Sequence, residues 1–342
     1  MDSLTHLFLG GTIAATMAPA NRRRVAILFG AAINTLPDVD VLPLALWAGD
    51  PVVNMTWHRS ASHSLLVLPF IGLLLWWLLK TRWQPVREQP RRWLWLILAT
   101  MLAHPVLDAF TVYGTQLLWP LPMSPVMWSS LFIIDPLYTL PLFLACVIAW
   151  FARERPLAKR ALVAGLGLSI AYLGWSLIAK ARVEYIAEQA LIARGLQESP
   201  RFSVPMPFNT LLWRVVVMTP DGFLEGERSL VADRGAMVFH EHSSDNAALA
   251  RVRQFGSVSR LLWFNHGFMK AEDRDGTLVL SDLRMGAEPD YTFRFAVAER
   301  ADADWREIPV RQMQWPWQAS RRLPALWGRI WKQPTLTEEA RP

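Results

Sequence analysis

The sequence predicts an all-α polytopic membrane bundle of about six helices, followed by a small β-rich (α+β) soluble domain. Three observations carry that expectation. The 342-residue chain is 52% hydrophobic and only 19% charged, with a mean hydropathy of +0.19, which is too apolar for a disordered chain. Its charge is unevenly divided: residues 1–182 hold 15 Lys+Arg and 8 Asp+Glu, whereas residues 183–342 hold 20 and 21. The apolar residues of the first part gather into long runs, while those of the second alternate as strands do.

Six apolar segments stand at roughly 4–20, 25–48, 64–79, 93–113, 127–151 and 161–179. The last three meet the ~20 residues a span needs, and the first three are shorter or carry polar residues, as partial or tilted spans do. Ala18-Pro19-Ala20 resembles a cleavage site, but no Lys or Arg precedes the first run, so it reads as a span and not as a signal peptide. Alternate loops are basic: Arg22, Arg23 and Arg24; then Lys80, Arg82, Arg87, Arg91 and Arg92; then Arg153, Arg155, Lys159 and Arg160. The remaining loops hold Arg59, with Lys180 and Arg182 as a dissenting pair after the sixth segment. The positive-inside rule then puts the basic loops in the cytoplasm and both termini on the far side.

The expected domains are a transmembrane part over 1–182, a helical linker over 183–200, an extracytoplasmic β-rich domain over 201–320 and a basic, aromatic tail over 321–342. Within the soluble part, Leu211–Met218 reads as a strand ahead of an Asp221-Gly222 turn. Leu261–Lys270 and Thr277–Leu283 flank Asp275-Gly276 as a hairpin would, and Tyr291–Glu299 reads as a further strand. The tail, from Arg321 to Lys332, mixes basic and aromatic residues as a membrane-surface segment does, although a loosely packed tail has the same composition.

A pI near 9.8 invites a nucleic-acid reading, but the surplus positive charge lies between apolar segments and not on a soluble stripe, so none is expected. The single cysteine, Cys146, sits in an apolar run and excludes an internal disulfide or a thiolate metal cluster.

Ionisable groups inside apolar segments are costly and mark function by default. The first part holds His6, His58, His63 and His104, with Asp38, Asp40, Asp108 and Asp135 in or beside its apolar runs. On the topology above, all eight fall toward the face opposite the basic loops. His104 and Asp108 are four apart, on one side of a helix. Asp38-Val39-Asp40 follows Pro37 and turns both carboxylates the same way if locally extended. His58 and His63 converge if His58 lies in the loop and His63 in a first helical turn capped by Ser60 or Ser62. Imidazoles with carboxylates and no thiolate suit zinc, with manganese or iron as alternatives. Seven candidate ligands (His6, Asp38, Asp40, His58, His63, His104 and Asp108) exceed the three protein ligands of one catalytic zinc, so one or two ions are expected. His240-Glu241-His242 also puts two imidazoles on one strand face, but in a soluble domain it reads as surface.

At these residues the sequence resembles the YdjM/YbcI-type inner-membrane metal-dependent hydrolases. The likeness is carried by Met1-Asp2-Ser3-Leu4-Thr5-His6, Leu36-Pro37-Asp38-Val39-Asp40, His58-Arg59-Ser60-Ala61-Ser62-His63-Ser64, His104-Pro105-Val106-Leu107-Asp108, Thr111-Val112-Tyr113-Gly114-Thr115 and Ile134-Asp135-Pro136-Leu137. It covers residues 1–150, and Ser62 stands where that family more commonly has Thr. It implies a bacterial inner-membrane protein with hydrolase activity.

The expected function is therefore hydrolysis by a metal-activated water at the outer membrane face, on a lipid-linked or amphipathic phosphoester. Asp38 is the candidate general base or bridging carboxylate, and Tyr113 and Asp135 orient ligands or substrate from outside the ligand set. An ion- or proton-coupled transporter using the same His/Asp cluster is the competing class.

Overall fold

The computed structural model describes residues 1–47, 49–302, 304–314 and 319–333. The chain divides into two compact units. The first comprises Met1–Gly49, Val53–Trp128 and Ile133–Trp175; the second takes in Asp50–Val52, Ser129–Phe132 and the chain from Ser176.

The first unit is helical. Asp2 caps helix α1 (Ser3–Met17) by accepting the Thr5 amide hydrogen at 3.1 Å. α2 (Arg23–Thr35) packs back against α1 so closely that a Cβ added at Gly10 would lie 2.3 Å from the Gly30 carbonyl oxygen. A Cβ at Gly30 would meet the Gly10 oxygen at the same distance. Small residues permit this backbone contact, as they do between membrane helices. A 3-10 turn (Leu36–Asp40) leads to α3 (Val41–Trp47), then α4 (Pro51–Trp57) and a second 3-10 turn (Ala61–His63). α5 (Leu68–Arg82), α6 (Gln84–Glu88), α7 (Pro90–Ala109), α8 (Pro136–Ala152) and α9 (Pro156–Ile192) follow. Trp93, Leu96, Ile97 and Met101 of α7 are buried against Ala14, Ala26, Ile33 and Leu68.

Two stretches among the described residues are long and apolar enough to cross a membrane: Ala20–Leu46, taken through its 3-10 turn, and Pro156–Ile192. Pro51–His63 and Leu68–Arg82, bent by 58°, make a third if read as one broken span. α1 and α8, at 15 and 17 residues, are shorter than a typical span, and α7 has the length but carries Arg91, Arg92 and Asp108. The helices nevertheless turn large apolar side chains outward. Phe70 is 73% exposed, Trp95 64% and Phe151 74%, a surface that suits lipid and not water.

Charge is sorted along these helices. Arg92 donates through Nε to the Met17 carbonyl at 2.7 Å, and Arg24 through Nε to the Trp150 carbonyl at 2.7 Å. Arg23 reaches the Arg153 carbonyl at 3.0 Å. Guanidinium groups therefore gather on the last carbonyls of α1 and α8, where the helix dipole favours cations. His6, at the start of α1, and His104 and Asp108, at the end of α7, occupy the other ends of helices that Arg92 joins. From the rise of a helix, Arg92 and His104 stand about 18 Å apart.

Two sequence readings of this unit need correction. The segment expected from 127 begins as a helix only at Pro136, because Asp135 accepts from the Leu137 and Tyr138 amides and caps it there. The expected linker helix is no separate element, since α9 runs on to Ile192.

The second unit is α+β. Strands β1 (Arg201–Pro205), β2 (Leu212–Thr219), β3 (Gly222–Ser229) and β4 (His240–Ser243) form one antiparallel sheet in sequential order. Helices α10 (Asn246–Val252) and α11 (Gly256–Phe264) precede β5 (Met269–Arg274) and β6 (Thr277–Asp282). A small pair, β7 (Gly286–Ala287) and β8 (Asp290–Tyr291), follows. With β9 (Arg294–Ala301) and β10 (Asp304–Gln312) the second four-stranded sheet runs β10-β9-β6-β5. Asp275 and Gly276 turn the β5–β6 hairpin with φ of +52° and +80°, as a type I′ loop requires.

The expected strand over Leu261–Lys270 begins as helix: Val258, Leu261 and Phe264 are buried at a spacing of three, which keeps them on one side of a helix of 3.6 residues per turn, and the strand starts only at Met269. Ala179, Val183, Ala187 and Leu191, every fourth residue of α9, pack against Trp213, Val215 and Val217 of the sheet and against Phe239, just ahead of β4. The residues read as a linker thus belong to the second core. α12 (Ala319–Trp331) buries Ile330 beside Met206 and Leu212 and leaves Trp327 and Trp331 exposed; residues 334–342 of the expected tail lie outside the described residues.

Candidate metal centre

Asp38, His63 and the pair His104 and Asp108 come from three separate elements of the first unit, and one ligand atom of each residue lies within 4.8 Å of the others. His63 Nε2 and His104 Nε2 are 3.0 Å apart. Asp108 Oδ2 is 3.2 Å from the first and 3.3 Å from the second, and Asp38 Oδ1 is 3.4 and 3.3 Å away. His63, His104 and Asp108 are fully buried, and Asp38 is 23% exposed.

The outer partners decide which atoms face inward. His104 Nδ1 lies 2.5 Å from the Asn34 carbonyl oxygen; a carbonyl only accepts, so Nδ1 carries the proton and Nε2 presents a lone pair. Ser62 donates its hydroxyl to Asp40 Oδ2 at 2.5 Å and accepts from His63 Nδ1 at 2.9 Å. His63 Nε2 is left with a lone pair as well. Asp108 Oδ2 is buried with no hydrogen-bond partner. Four electron-rich atoms so close together repel one another unless a cation lies among them. Two imidazoles and two carboxylates, with each imidazole steered by a second hydrogen bond, are the donor set of a zinc, manganese or iron site.

Asp38 and Asp40 approach His63 from opposite ring nitrogens, at 3.4 and 3.9 Å. The chain between them is a 3-10 turn and not extended, so Asp38 joins the quartet while Asp40 faces His58 Nδ1 at 2.8 Å, the Arg59 amide and Ser62. His58 is held one step away from the quartet by that pairing. His6 Nε2 lies 3.3 Å from the other oxygen of Asp108, and its ring stacks on His104 with centroids 3.7 Å apart. Neither Ser60 nor Ser62 caps the His63 turn; Ser60 bonds the Trp57 carbonyl, and Ser64 accepts from the Leu66 and Val67 amides instead. Tyr113 sets its ring edge-on to His58 and donates to the Met55 carbonyl at 2.8 Å. Asp135 caps α8 and accepts from the Tyr172 hydroxyl at 2.9 Å.

Residues 1–183, which contain the whole cluster, match the YdjM inner membrane protein family. The chain belongs to the YdjM inner membrane protein family. It is also similar to the uncharacterized protein YfhP of Bacillus subtilis (strain 168), with 28% identity over 240 residues, covering 66% of this chain and 68% of that protein. No solved structure matches it.

One residue of this YdjM-family site escaped the sequence reading. Arg59 is buried, with Nη2 3.2 Å from Asp108 Oδ1, Nη1 3.2 Å from Thr111 Oγ1 and its guanidinium 4.7 Å from the Tyr113 ring centroid. The α-amino group of Met1 also contacts Asp108. The signal for Arg59 was present: it is the one cation in a loop otherwise free of them, between two candidate histidines. His240, by contrast, is an exposed residue of β4, and His242 stacks on Phe223. Cys146 lies against Thr12 at 3.2 Å, away from the quartet.

Proposed function

We propose that this protein is a membrane-bound metal-dependent hydrolase that acts at the non-cytoplasmic face on a lipid-linked phosphoester. The observation that carries the reading is the buried quartet whose two imidazole lone pairs and two carboxylate oxygens converge. A divalent ion held by Asp38, His63, His104 and Asp108 would supply Lewis acidity and an acidified water. Asp38, the most open member, would accept a proton from the attacking water through the carboxylate oxygen that it does not turn toward the ion. Asp40, acting through Ser62, would keep the His63 ring in its tautomer and orientation. Arg59 would hold Asp108 and offer its remaining N–H donors to an anionic oxygen, a task for which a guanidinium is suited.

The test is direct. Purified protein loaded with zinc should hydrolyse a lipid-linked phosphoester faster than a water-soluble one with the same headgroup, and a strong chelator should abolish both activities. Turnover that survives the chelator, or activity confined to peptides, would overturn the reading.

Orientation is proposed on the same footing. Arginines sit at one end of α1 and α7 and the quartet at the other, so the positive-inside rule turns the quartet outward. A reporter fused after Arg92 should read cytoplasmic, and one fused at Pro342 extracytoplasmic. A cytoplasmic signal from the Pro342 fusion would place the site on the wrong face.

A further inference from the structure

The segment from Trp57 to His63 has two sides. Arg59 stands at φ +64°, a left-handed backbone that ordinary residues seldom adopt. The reversal there sends its guanidinium toward Asp108 and Thr111, while Trp57, Ser60, Ala61 and Ser62 line a pocket of about 430 Å³ together with Asp40, Pro43 and Leu44. Pro43, Leu44, Trp57 and Ala61 make that pocket largely apolar. Of its polar members, Asp40, Ser60 and Ser62, the first and last are the pair that anchors His63. Beside it, α3 exposes Leu42 at 60% and Leu46 at 75%, so the approach is apolar too.

We propose that this pocket seats the apolar chain of the substrate, so that chain length, read by Pro43, Leu44, Trp57 and Ala61, sets specificity. This rests on the hydrolase reading above. The argument is one of continuity: Ser62 and Asp40 line the pocket and also stand 2.9 and 3.9 Å from Nδ1 of His63, whose far nitrogen belongs to the quartet. A chain lying in the pocket brings the group attached to its end to Asp40, Ser62 and the ligand atoms beyond. A water-soluble substrate with the same headgroup would lack that purchase.

Two measurements on the full chain in lipid nanodiscs test this separately from catalysis. First, an alkyl phosphonate, which is not hydrolysed, carries a photoreactive diazirine at the end of its chain. Its adducts should fall on Pro43, Leu44, Trp57 or Ala61, and Leu44→Trp, which fills the pocket, should reduce them at least tenfold. Adducts elsewhere, as for a lipid that merely surrounds the protein, would overturn the proposal whatever the activity. Second, short alkyl phosphates below their micelle concentrations should gain up to about fourfold in kcat/KM per added methylene. Leu44→Trp should flatten that slope while leaving the metal content unchanged. Chelator-sensitive hydrolysis with no dependence on chain length sinks the pocket and spares the hydrolase. Labelling in the pocket without any hydrolysis sinks the hydrolase and spares the pocket as a lipid seat.

Discussion

His104→Ala and His63→Ala should each yield a folded membrane protein that purifies without its metal and without activity. Each substitution removes one of only two imidazole nitrogens in the quartet, and the two carboxylates that remain are 3.2–3.4 Å from where those nitrogens stood. Ser62→Ala makes the graded comparison. It keeps every ligand and deletes only the hydroxyl linking His63 Nδ1 to Asp40, so the affinity for zinc should fall by about 10–100-fold, the usual cost of losing a partner outside the ligand set. Metal stoichiometry measured beside a size-exclusion profile decides the matter. Full occupancy in well-folded His104→Ala and His63→Ala variants would remove the quartet as the site.

Arg59→Met should separate the metal from the chemistry. The guanidinium shares Asp108 Oδ1 with the Met1 α-amino group and is itself buried, so removing it leaves the buried carboxylate with one counter-charge fewer. Breaking such a pair costs about 3–5 kcal/mol. A divalent ion on the other oxygen of Asp108 offsets part of that loss. Adding zinc should therefore raise the unfolding temperature of Arg59→Met more than that of the wild type. Activity should fall by about 10²–10³-fold even at full metal occupancy, the range seen when one charge-stabilising donor is removed. Arg59→Lys should rescue little, because a point ammonium cannot span Asp108 and Thr111 as the planar fork does. An equal response to zinc in variant and wild type, with activity intact, would reduce Arg59 to a packing residue.

The sequence made the chemistry easier to read than its geometry. Histidines and aspartates are expensive in apolar segments, so His63, His104, Asp38 and Asp108 stood out before any contact was known. Their division into quartet and surroundings did not, because it depends on a backbone detail. In an extended chain Asp38 and Asp40 would point the same way; in the 3-10 turn found at Leu36–Asp40 they part, one to His104 and the other to His58. Arg59 was hidden for another reason: a charge count treats a loop arginine as topology and cannot see a left-handed residue fold it inward. Short strands and helices with mixed apolar runs also resist a one-dimensional reading. Leu261–Lys270 joins the end of α11 to the start of β5, and its two periods cancel in a single window.

Asp108 gives one oxygen to the two histidines of the quartet and the other to Arg59, His6 and the Met1 α-amino group. A carboxylate divided in this way ties two binding equilibria together. An anion that draws Arg59 away from Oδ1 returns electron density to Oδ2, and so tightens the hold on an ion there. By reciprocity, the ion must strengthen binding of that anion by the same factor. Metal affinity measured on the resting protein would then understate its value during turnover, and the site would hold its ion most firmly when the ion is in use.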